Sequence, residues 1–270
     1  MPPLAAWLRR RWLLALAWAL FILPTALFLL ASLALLAYTY TPRDYGDMVR
    51  PPIEPDTGRV TIIAHGLRDR LDHWAEPLRN DLRTAGHDGL TLALDWRPFS
   101  HSTLRCSVDG LRIGRELGRH LAGQPGVAFV HAIGHSCGSF IALGVCRGVR
   151  DQDGAVTVQT TYLDPVSIYG GLFWRWGIER FGACADYSEA YIDTEDTVPG
   201  SGEPLPNAFT TDVTAARLAS GSHTLPHVWP TAYYRSLVRA GLQPDLLLDK
   251  SLVERRPKGA STSTAQLPDG

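Results

Sequence analysis

Neither sign of charge is in excess in this chain: 26 Lys and Arg residues stand against 27 Asp and Glu residues, for a net charge of −1. No basic stripe runs along the sequence, so we expect no nucleic-acid partner. The four cysteines form no C-x-x-C pair, which argues against a zinc site or a dithiol redox centre. Internal repeats are absent as well, and a repeat architecture is not expected.

Charge is missing altogether from Trp12 to Pro42. The apolar part of this stretch exceeds the roughly 20 residues that cross a bilayer, and it exceeds the core of a signal peptide. We therefore predict a transmembrane signal-anchor helix over residues 12–40. A lone proline such as Pro24 is tolerated in such a helix, because it kinks the axis without ending the helix.

Three arginines precede this helix, at residues 9–11. By the positive-inside rule, residues 1–11 stay in the cytoplasm and the rest of the chain is exported. The sequence thus predicts a single-pass membrane protein with an extracytoplasmic domain and the bilayer as a partner. The alternative is a secreted protein, since the small residues of Ala31–Ala34 offer a site for signal-peptide cleavage.

Beyond the helix, composition divides the chain into three parts. Residues 41–57 carry four prolines and mixed charges, which favours an extended linker. Residues 58–250 suit one α/β domain. Residues 251–270 are rich in Ser, Thr, Gly and Pro, and we predict a disordered tail there.

Apolar runs alternate with helical patterns along the domain. Five runs predict strands, and four segments with apolar residues three or four positions apart predict helices. The strands are expected at Arg59–Ala64, Leu90–Leu94, Val127–Ile133, Val156–Leu163 and Tyr187–Ile192, and the helices at Trp74–Thr84, Ser107–Ala122, Ser136–Val149 and Thr231–Ala240. This order favours an α/β fold with a mostly parallel sheet flanked by helices.

A nucleophile motif lies between the third predicted strand and the third predicted helix. Gly134-His135-Ser136-Cys137-Gly138 has the G-x-S-x-G pattern, with a serine at the apex of a tight strand-to-helix turn. The flanking glycines remove the side chains that would clash in such a turn. An ordinary structural turn is the alternative reading of the same motif.

A serine hydroxyl needs a base and an orienting acid before it can attack a carbonyl group at neutral pH. Only His223 and His227 follow Ser136 in the sequence. We prefer His227, because a proline three residues later can begin a helix and fix the loop that presents the imidazole. Asp164 and Asp196 compete for the role of the acid, since each follows a predicted strand.

Acyl transfer also needs hydrogen-bond donors for the oxyanion that develops on the carbonyl group. The backbone N–H of Cys137 comes with the serine turn. The N–H of Leu67 follows the first predicted strand, in the loop His65-Gly66-Leu67. We expect these two groups to form the oxyanion hole.

Cysteine usage depends on the topology. In an exported domain the four cysteines meet an oxidising compartment and allow three disulfide pairings. The sequence does not choose among them, and Cys137 and Cys146 are equally compatible with buried free thiols.

Several blocks of residues stand in a characteristic order between about residue 58 and residue 238. The blocks are Ile62–Leu67, Trp74, Leu94–Trp96, Val130–Ser136, Leu163–Pro165, Ala185–Tyr187, and His227 with Tyr233 and Tyr234. In the order of these blocks the chain resembles the pancreatic-lipase type of α/β-hydrolase, and the resemblance implies an α/β-hydrolase fold.

The resemblance also implies a full set of catalytic roles. The nucleophile, acid, base and two oxyanion donors are Ser136, Asp164, His227, Leu67 and Cys137. The segment Thr194–Pro199 is similar to the acid block of fungal-type lipases, so Asp196 remains the alternative acid.

An aromatic segment, Gly171–Ile178, follows the first candidate acid. We expect its Phe173, Trp174 and Trp176 to border an acyl-chain pocket or to contact a bilayer. Packing of these rings in the core is the alternative.

Together these features predict a membrane-anchored serine lipase or esterase that cleaves lipid-like carboxylic esters through an acyl-enzyme. The chemistry needs no metal and no organic cofactor. An acyltransferase or thioesterase could use the same triad. A catalytically inactive hydrolase fold that serves as a binding module is a further alternative.

Overall fold

The protein divides into two compact units, residues 1–42 and residues 43–270. In the computed structural model, the described residues are 4–152, 155–245, 251 and 254–268. The first unit is a long helix, and the second contains a β-sheet with its flanking helices.

The N-terminal unit is apolar over most of its length. Helix α1 spans Leu4–Ala17, a wider π-helical turn spans Trp18–Ile22, and helix α2 spans Leu23–Tyr40. Pro24 accounts for the wide turn, because proline lacks the N–H that an α-helix needs and its ring crowds the preceding turn. The Thr25 hydroxyl donates to the Phe21 carbonyl oxygen at 2.6 Å. The helical stretch from residue 5 to residue 40 is long and apolar enough to span a bilayer.

A parallel sheet forms the centre of the second unit. Its strands are β1 Arg59–Ala64, β2 Leu90–Leu94, β3 Phe129–His135, β4 Thr157–Leu163, β5 Tyr187–Ile192, β6 Phe209–Asp212 and β7 Ser261–Ser263. The order across the sheet is β2-β1-β3-β4-β5-β6-β7, and each neighbouring pair is parallel. Such a sheet places the carboxyl ends of all its strands at one edge.

Helices flank this sheet. They are α3 Ala75–Thr84, α4 Cys106–Ala122, α5 Ser139–Arg150, α6 Thr214–Ser220 and α7 Trp229–Arg239. Because side chains alternate along a strand, Ile62 packs in one core with residues of α4 and α5, while Ile63 packs in a second core with residues of α3 and α7. The predicted α/β class is confirmed.

Helices α4 and α5 approach each other very closely. A Cβ atom added to Gly114 would lie 2.2 Å from the Ile141 carbonyl oxygen, and one added to Gly144 would lie 2.4 Å from the Leu111 carbonyl oxygen. Only glycine therefore fits at these two positions. The close packing holds α5, the helix that follows the serine motif, against the rest of the unit.

The five predicted strands and four predicted helices are present, with ends that differ by a few residues. Strands β6 and β7 and helix α6 were not expected. Strand β6 is four residues long and contains two threonines and an aspartate, so it lacks the apolar run that marks a buried strand.

The C-terminal segment differs from the predicted disordered tail. Ser261–Ser263 pairs with β6 as the last strand of the sheet, and Lys258 Nζ donates to the carbonyl oxygens of Gly182 and Ala185 at 2.8 and 2.6 Å. Composition misses this strand, because an edge strand can gain main-chain hydrogen bonds without burying apolar side chains. Residues 246–250, 252–253 and 269–270, on which parts of the predicted domain and tail fall, lie outside the described residues.

The predicted linker also differs from an extended tether. Tyr45 and Val49 are buried, and a short 3₁₀ turn spans Gly46–Val49. The Tyr45 hydroxyl donates to Asp109 Oδ1 at 3.0 Å, and Arg105 donates to the same carboxylate with two hydrogen bonds of 3.0 Å. This part of the linker therefore packs on α4, because a buried polar anchor fixes its tyrosine.

Candidate active site

The candidate site residues lie at the carboxyl ends of the parallel strands. Ser136 follows β3, an inner strand, and Leu67 lies in the loop after the neighbouring β1. Asp164 directly follows β4, and Asp196 lies in the loop after β5. His227 lies two residues before the start of α7. The sheet topology thus brings residues that are far apart in the sequence to one edge.

Ser136 occupies a tight turn between β3 and α5. Its φ is 54°, in the left-handed region that a residue with a Cβ atom rarely adopts. A Cβ at Gly138 would lie 2.3 Å from the Ala64 carbonyl oxygen, and one at Gly134 would lie 2.5 Å from the Gly138 carbonyl oxygen. Gly138 is therefore required by the packing of this turn against the end of β1, and Gly134 by the close approach of β3 to the turn itself.

The loop after β1 lies against the serine. A Cβ added to Gly66 would lie 3.0 Å from Ser136 Cβ and 3.4 Å from Ser136 Oγ. Leu67 follows in this loop and Cys137 follows the serine, so both predicted oxyanion residues lie next to Ser136 and border the cavities around it.

The Ser136 side chain opens to a cavity that His227 also borders. Within the described part of the chain, Ser136 Oγ makes no hydrogen bond to another protein group. Ser136 is only 6% exposed, and solvent reaches its side chain through the cavity. The second histidine considered, His223, is exposed and borders no cavity described for this unit.

His227 contacts both candidate acids. Its Nδ1 lies 3.2 Å from Asp164 Oδ2 and 2.8 Å from Asp196 Oδ2. Asp164 is fully buried and has a positive φ of 42° at the end of its strand. Asp196 belongs to a loop and is more accessible than Asp164 as a whole residue. The structure thus brings the two alternative acids to the same nitrogen atom.

A hydrogen-bonded loop holds the two carboxylates in place. Asp196 Oδ1 accepts from the Val198 N–H at 3.1 Å, and the Ser201 hydroxyl donates to Asp196 Oδ2. The next residue, Gly202, donates its N–H to Asp164 Oδ1 at 3.1 Å. The same loop therefore positions both acids.

The three titratable groups perturb one another. Burial raises the pKa of Asp164 to about 7, although its hydrogen bond to His227 acts in the opposite direction. Burial acts to raise the pKa of Asp196, but hydrogen bonds from His227, Ser201 and the Val198 N–H outweigh it and hold this pKa well below its ordinary value. Burial acts to lower the pKa of His227, yet its hydrogen bonds to Asp164 and Asp196 raise it to about 9.

His135, inside the G-x-S-x-G motif, supports the loop that carries His227. Burial lowers the pKa of His135 to about 4, so its ring is neutral at neutral pH. Its Nε2 lies 2.9 Å from the His227 carbonyl oxygen, where a neutral imidazole can only donate, so the proton resides on Nε2. No role was predicted for His135, although its position beside the serine in the motif was a usable signal.

Two cavities meet at Ser136. The larger one measures about 550 Å³, and its border combines apolar residues such as Trp74, Val228 and Ala232 with the polar His227, Arg68, Asp69, His73 and Arg235. The smaller one measures about 350 Å³, and its mostly apolar border includes Leu104, Val166, Ile168, Cys106 and Cys137. Ser136, Leu67 and Val198 border both cavities. A substrate bound at the serine can therefore extend in two chemically different directions.

The predicted aromatic pocket residues do not border either cavity. Phe173 and Trp174 are 54% and 59% exposed. Trp176 stacks on Tyr169, with 4.4 Å between the ring centroids. The segment folds back on itself through main-chain hydrogen bonds between Tyr169 and Phe173.

The four cysteines form two disulfides. Cys106 is bonded to Cys137 and Cys146 to Cys184, with Cα–Cα distances of 6.2 and 6.0 Å. This is one of the three pairings that the sequence left open, and neither Cys137 nor Cys146 is a free thiol. The first bond links the residue after the serine to the start of α4 and borders the smaller cavity.

The same acid and imidazole groups could also bind a metal ion. Asp164, Asp196 and His227 offer ligand atoms within 4.8 Å of one another, a set of residue types that suits zinc. A metal ion on Nδ1 would take the place of the proton that Nδ1 shares with the carboxylates. The hydrogen-bonded arrangement and a metal site are thus alternative uses of these side chains.

Comparison with protein-family models and with curated proteins finds no match for this chain. Its function has to be inferred from the chemistry of the site.

Proposed function

We propose that the second unit is a serine hydrolase of carboxylic esters, of the lipase or esterase type, with the α/β-hydrolase fold that its sequence resembles. One observation carries the proposal: His227 Nδ1 bonds to carboxylates while Ser136, held in a strained strand-to-helix turn, borders the same cavity. Carboxylates on Nδ1 orient the ring and fix its tautomer, so that Nε2 can accept the serine proton. Catalytic hydrogen bonds to the nucleophile are often long without substrate and shorten when it binds.

In the proposed reaction, Ser136 Oγ attacks the acyl carbonyl carbon while His227 Nε2 takes its proton. The N–H groups of Leu67 and Cys137 stabilise the oxyanion. His227 then protonates the leaving alcohol oxygen, the bond between carbonyl carbon and alcohol breaks, and water repeats the cycle on the acyl-enzyme. The negative charge beside Nδ1, on Asp164 or Asp196, stabilises the imidazolium that forms in each half of the cycle.

We also propose that the hydrolase unit lies outside the cytoplasm and is tethered by the N-terminal helix. The length and apolar character of residues 5–40 support a membrane anchor. The arginines at residues 9–11 favour a cytoplasmic N-terminus. The two disulfides support an oxidising compartment for the second unit.

The decisive test removes the nucleophile and the base separately. We expect Ser136→Ala and His227→Ala to lower kcat/KM for ester hydrolysis by roughly 10³-fold or more, because the two residues act as a unit. The matched control is His223→Ala, which removes the other histidine downstream of the serine and should retain parental activity. Ester hydrolysis within tenfold of the parent in Ser136→Ala would contradict the proposal.

Two further measurements separate the alternatives. A fluorophosphonate probe should label the parent protein and not Ser136→Ala, whereas a folded but unlabelled parent would indicate a binding module. Incubation with a chelator should leave hydrolysis unchanged, because the proposed reaction uses no metal ion. Loss of activity that returns on adding Zn²⁺ would instead favour a metal on Asp164, Asp196 and His227.

A further inference from the structure

The loop after β1, which carries the first proposed oxyanion donor, is held from both sides by one segment of the chain. This bridging segment comprises residues 96–106. Trp96 Nε1 donates to the His65 carbonyl oxygen at 2.9 Å. The Arg68 N–H donates to the Ser100 carbonyl oxygen at 3.0 Å. One bond lies before the donor residue in the sequence and the other directly after it, so the bridging segment fixes the position of this donor.

The other end of the bridging segment is covalently attached to the second proposed oxyanion donor. Cys106 is the last residue of the segment and the first residue of α4, and it is bonded to Cys137, the residue after the nucleophile. The bridging segment therefore connects the two proposed donors. Hydrogen bonds attach it to the loop of Leu67, and the disulfide attaches it to the serine turn.

The middle of the bridging segment lies mostly at the surface. His101 and Thr103 are exposed, and Ser102 and Leu104 are half-buried. Few buried contacts hold such a loop, so its position depends on its local attachments. We therefore expect the disulfide to set the distance between this segment and the serine turn.

The packing of the two helices does not depend on this disulfide. Helices α4 and α5 interlock at Gly114 and Gly144, where an added Cβ would lie within 2.4 Å of backbone oxygen atoms. Gly114 lies about 12 Å along the helix axis from Cys106. Loss of the disulfide thus frees the first turn of α4 and the bridging segment, while the interlocked helices stay packed.

The two disulfides of the second unit differ in their access to the site. Cys106 and Cys137 are 5% and 2% exposed, and both border the smaller cavity beside the nucleophile. Cys146 is fully buried, and neither it nor Cys184 borders a cavity at the serine. A small reductant that enters the smaller cavity therefore reaches the first disulfide in the folded protein.

We propose that the Cys106–Cys137 disulfide is a redox switch for the hydrolase, with Cys106 as a positioning residue for the oxyanion donor at Cys137. When the disulfide is formed, the bridging segment holds the two donors at a fixed separation. When it is reduced, the donors move relative to each other and stabilise the oxyanion less well. This inference rests on the ester hydrolase function proposed above and adds its regulation.

The chemistry of the switch is thiol–disulfide exchange. A dithiol transfers two electrons and two protons to the Cys106–Cys137 bond, so that both sulfur atoms become thiols and the dithiol closes into its own disulfide. A disulfide oxidant reverses the reaction and leaves as two thiols. A reducing cytoplasm thus keeps the chain weakly active, and an oxidising compartment completes the site. The proposed hydrolase is thereby restrained until its second unit is exported.

Matched double variants provide the first test. Cys106→Ala with Cys137→Ala removes the switch and keeps the backbone N–H of residue 137. We expect kcat for ester hydrolysis to fall about tenfold to 100-fold, because a displaced donor stabilises the transition state less, and KM to stay within about threefold. The control is Cys146→Ala with Cys184→Ala. The two bonds span similar sequence separations, 31 and 38 residues, so both pairs lose comparable stability, but the control should keep kcat within about twofold of the parent.

A transition-state analogue separates donor positioning from general loosening of the fold. A trifluoromethyl ketone forms a tetrahedral adduct with Ser136 Oγ and places a negatively charged oxygen in the oxyanion hole. Its inhibition constant should rise in the Cys106→Ala, Cys137→Ala variant by about the factor by which kcat/KM falls. The matched methyl ketone, which stays trigonal, should bind equally well to the parent and the variant.

Reversibility is tested in the Cys146→Ala, Cys184→Ala variant. Its two remaining cysteines, Cys106 and Cys137, can form one disulfide within the chain. Dithiothreitol should lower kcat about tenfold or more without changing the far-UV circular dichroism, and oxidised glutathione should restore kcat. This measurement decides the case if the Cys106→Ala, Cys137→Ala variant does not fold.

The outcomes separate this inference from the function on which it rests. A parent protein that hydrolyses no ester and reacts with no fluorophosphonate overturns both. An active parent whose oxidised and reduced forms have equal kcat overturns the switch alone. Equal losses of kcat in the two double variants, or activity that disappears together with the helical signal on reduction, would show that the bond only stabilises the fold and would also overturn the switch.

Discussion

His227 is unusual in having two carboxylates at one nitrogen, and the two are not equivalent. The Nδ1 atom is closer to Asp196, at 2.8 Å, than to Asp164, at 3.2 Å. Burial raises the pKa of Asp164 to about 7, whereas hydrogen bonds hold the pKa of Asp196 low against the opposing effect of burial. The acid that keeps its charge at every pH of interest is therefore Asp196.

This difference predicts the pH dependence of hydrolysis. The base acts in its neutral form, and the carboxylates raise the pKa of His227 to about 9 against the opposing effect of burial, so kcat/KM should rise with pH up to about pH 9. Asp196→Asn removes a negative charge that stabilises the imidazolium. The pKa of His227 should fall, and the rising limb of the profile should move about one pH unit or more to lower pH.

Two companion variants make this profile diagnostic. Glu195→Gln removes the neighbouring charge, which pairs with Arg217 and not with His227, and should leave the rising limb in place. Asp164, with a pKa of about 7, is ionised near pH 9 as well, so Asp164→Asn should also move the limb to lower pH, and the relative size of the two shifts ranks the two acids. A profile that shifts more for Asp164→Asn would identify Asp164 as the charged partner, the role that the sequence resemblance gave it.

At the level of elements, the sequence was most informative where burial imposes a pattern. Strands β1, β3, β4 and β5 are buried almost throughout, β2 is half-buried with three leucines in five residues, and all five were predicted. The positions of the serine and the two acids after predicted strands placed them at one edge of the sheet. The short strands β6 and β7, the last two at one side of the sheet, were not predicted, since main-chain hydrogen bonds hold them without an apolar run. Their absence from the prediction did not affect the site, because both lie beyond β5 in the strand order.

The α4–α5 contact gives a prediction at this scale. Gly144→Ala should lower the free energy of unfolding by about 1–3 kcal/mol, because the added methyl group meets backbone atoms that cannot turn away. The measurement is chemical denaturation, read from the midpoint at constant m-value. The control is Gly58→Ala, where a Cβ meets no atom within 4 Å and the stability should stay within about 0.5 kcal/mol of the parent.

The walls of the site were harder to predict than the reactive residues. Leu104, Ile168 and Val198 come from three separate loops, and no local pattern marks them as neighbours. The aromatic segment was predicted to border a pocket or a bilayer because of its composition, but composition does not reveal how a loop folds. The nucleophile turn was easier, since its backbone strain requires glycines at fixed positions in the sequence.

On the scale of the whole molecule, the disulfides link distant parts of the second unit. Cys146 on α5 is bonded to Cys184, which precedes β5, and the bond closes a loop with a sequence separation of 38 residues. Closing a loop of this size restricts the unfolded chain and stabilises the folded state by about 3–4 kcal/mol. The bond lies away from the cavities, so it affects stability without touching the reacting groups.

The free energy of unfolding of the double variant Cys146→Ala with Cys184→Ala should therefore be about 3–4 kcal/mol lower than that of the parent in oxidising buffer. Thermal or denaturant unfolding of the isolated second unit measures the difference. In a reducing buffer the difference in stability between parent and variant should become smaller, because the reductant removes the same bond from the parent. Equal stabilities in oxidising buffer would indicate that the two cysteines are not bonded in the protein.

The glycine contact between α4 and α5 has a consequence for attempts to evolve this protein. A serine whose following helix interlocks with its neighbour, backbone against backbone, has little freedom to be repositioned by mutation. New specificities are therefore best sought in libraries that diversify the loops around positions 68, 104, 168 and 198, with the two helices kept constant. Randomising the interlocked pair would mostly yield unfolded clones and teach little about selectivity.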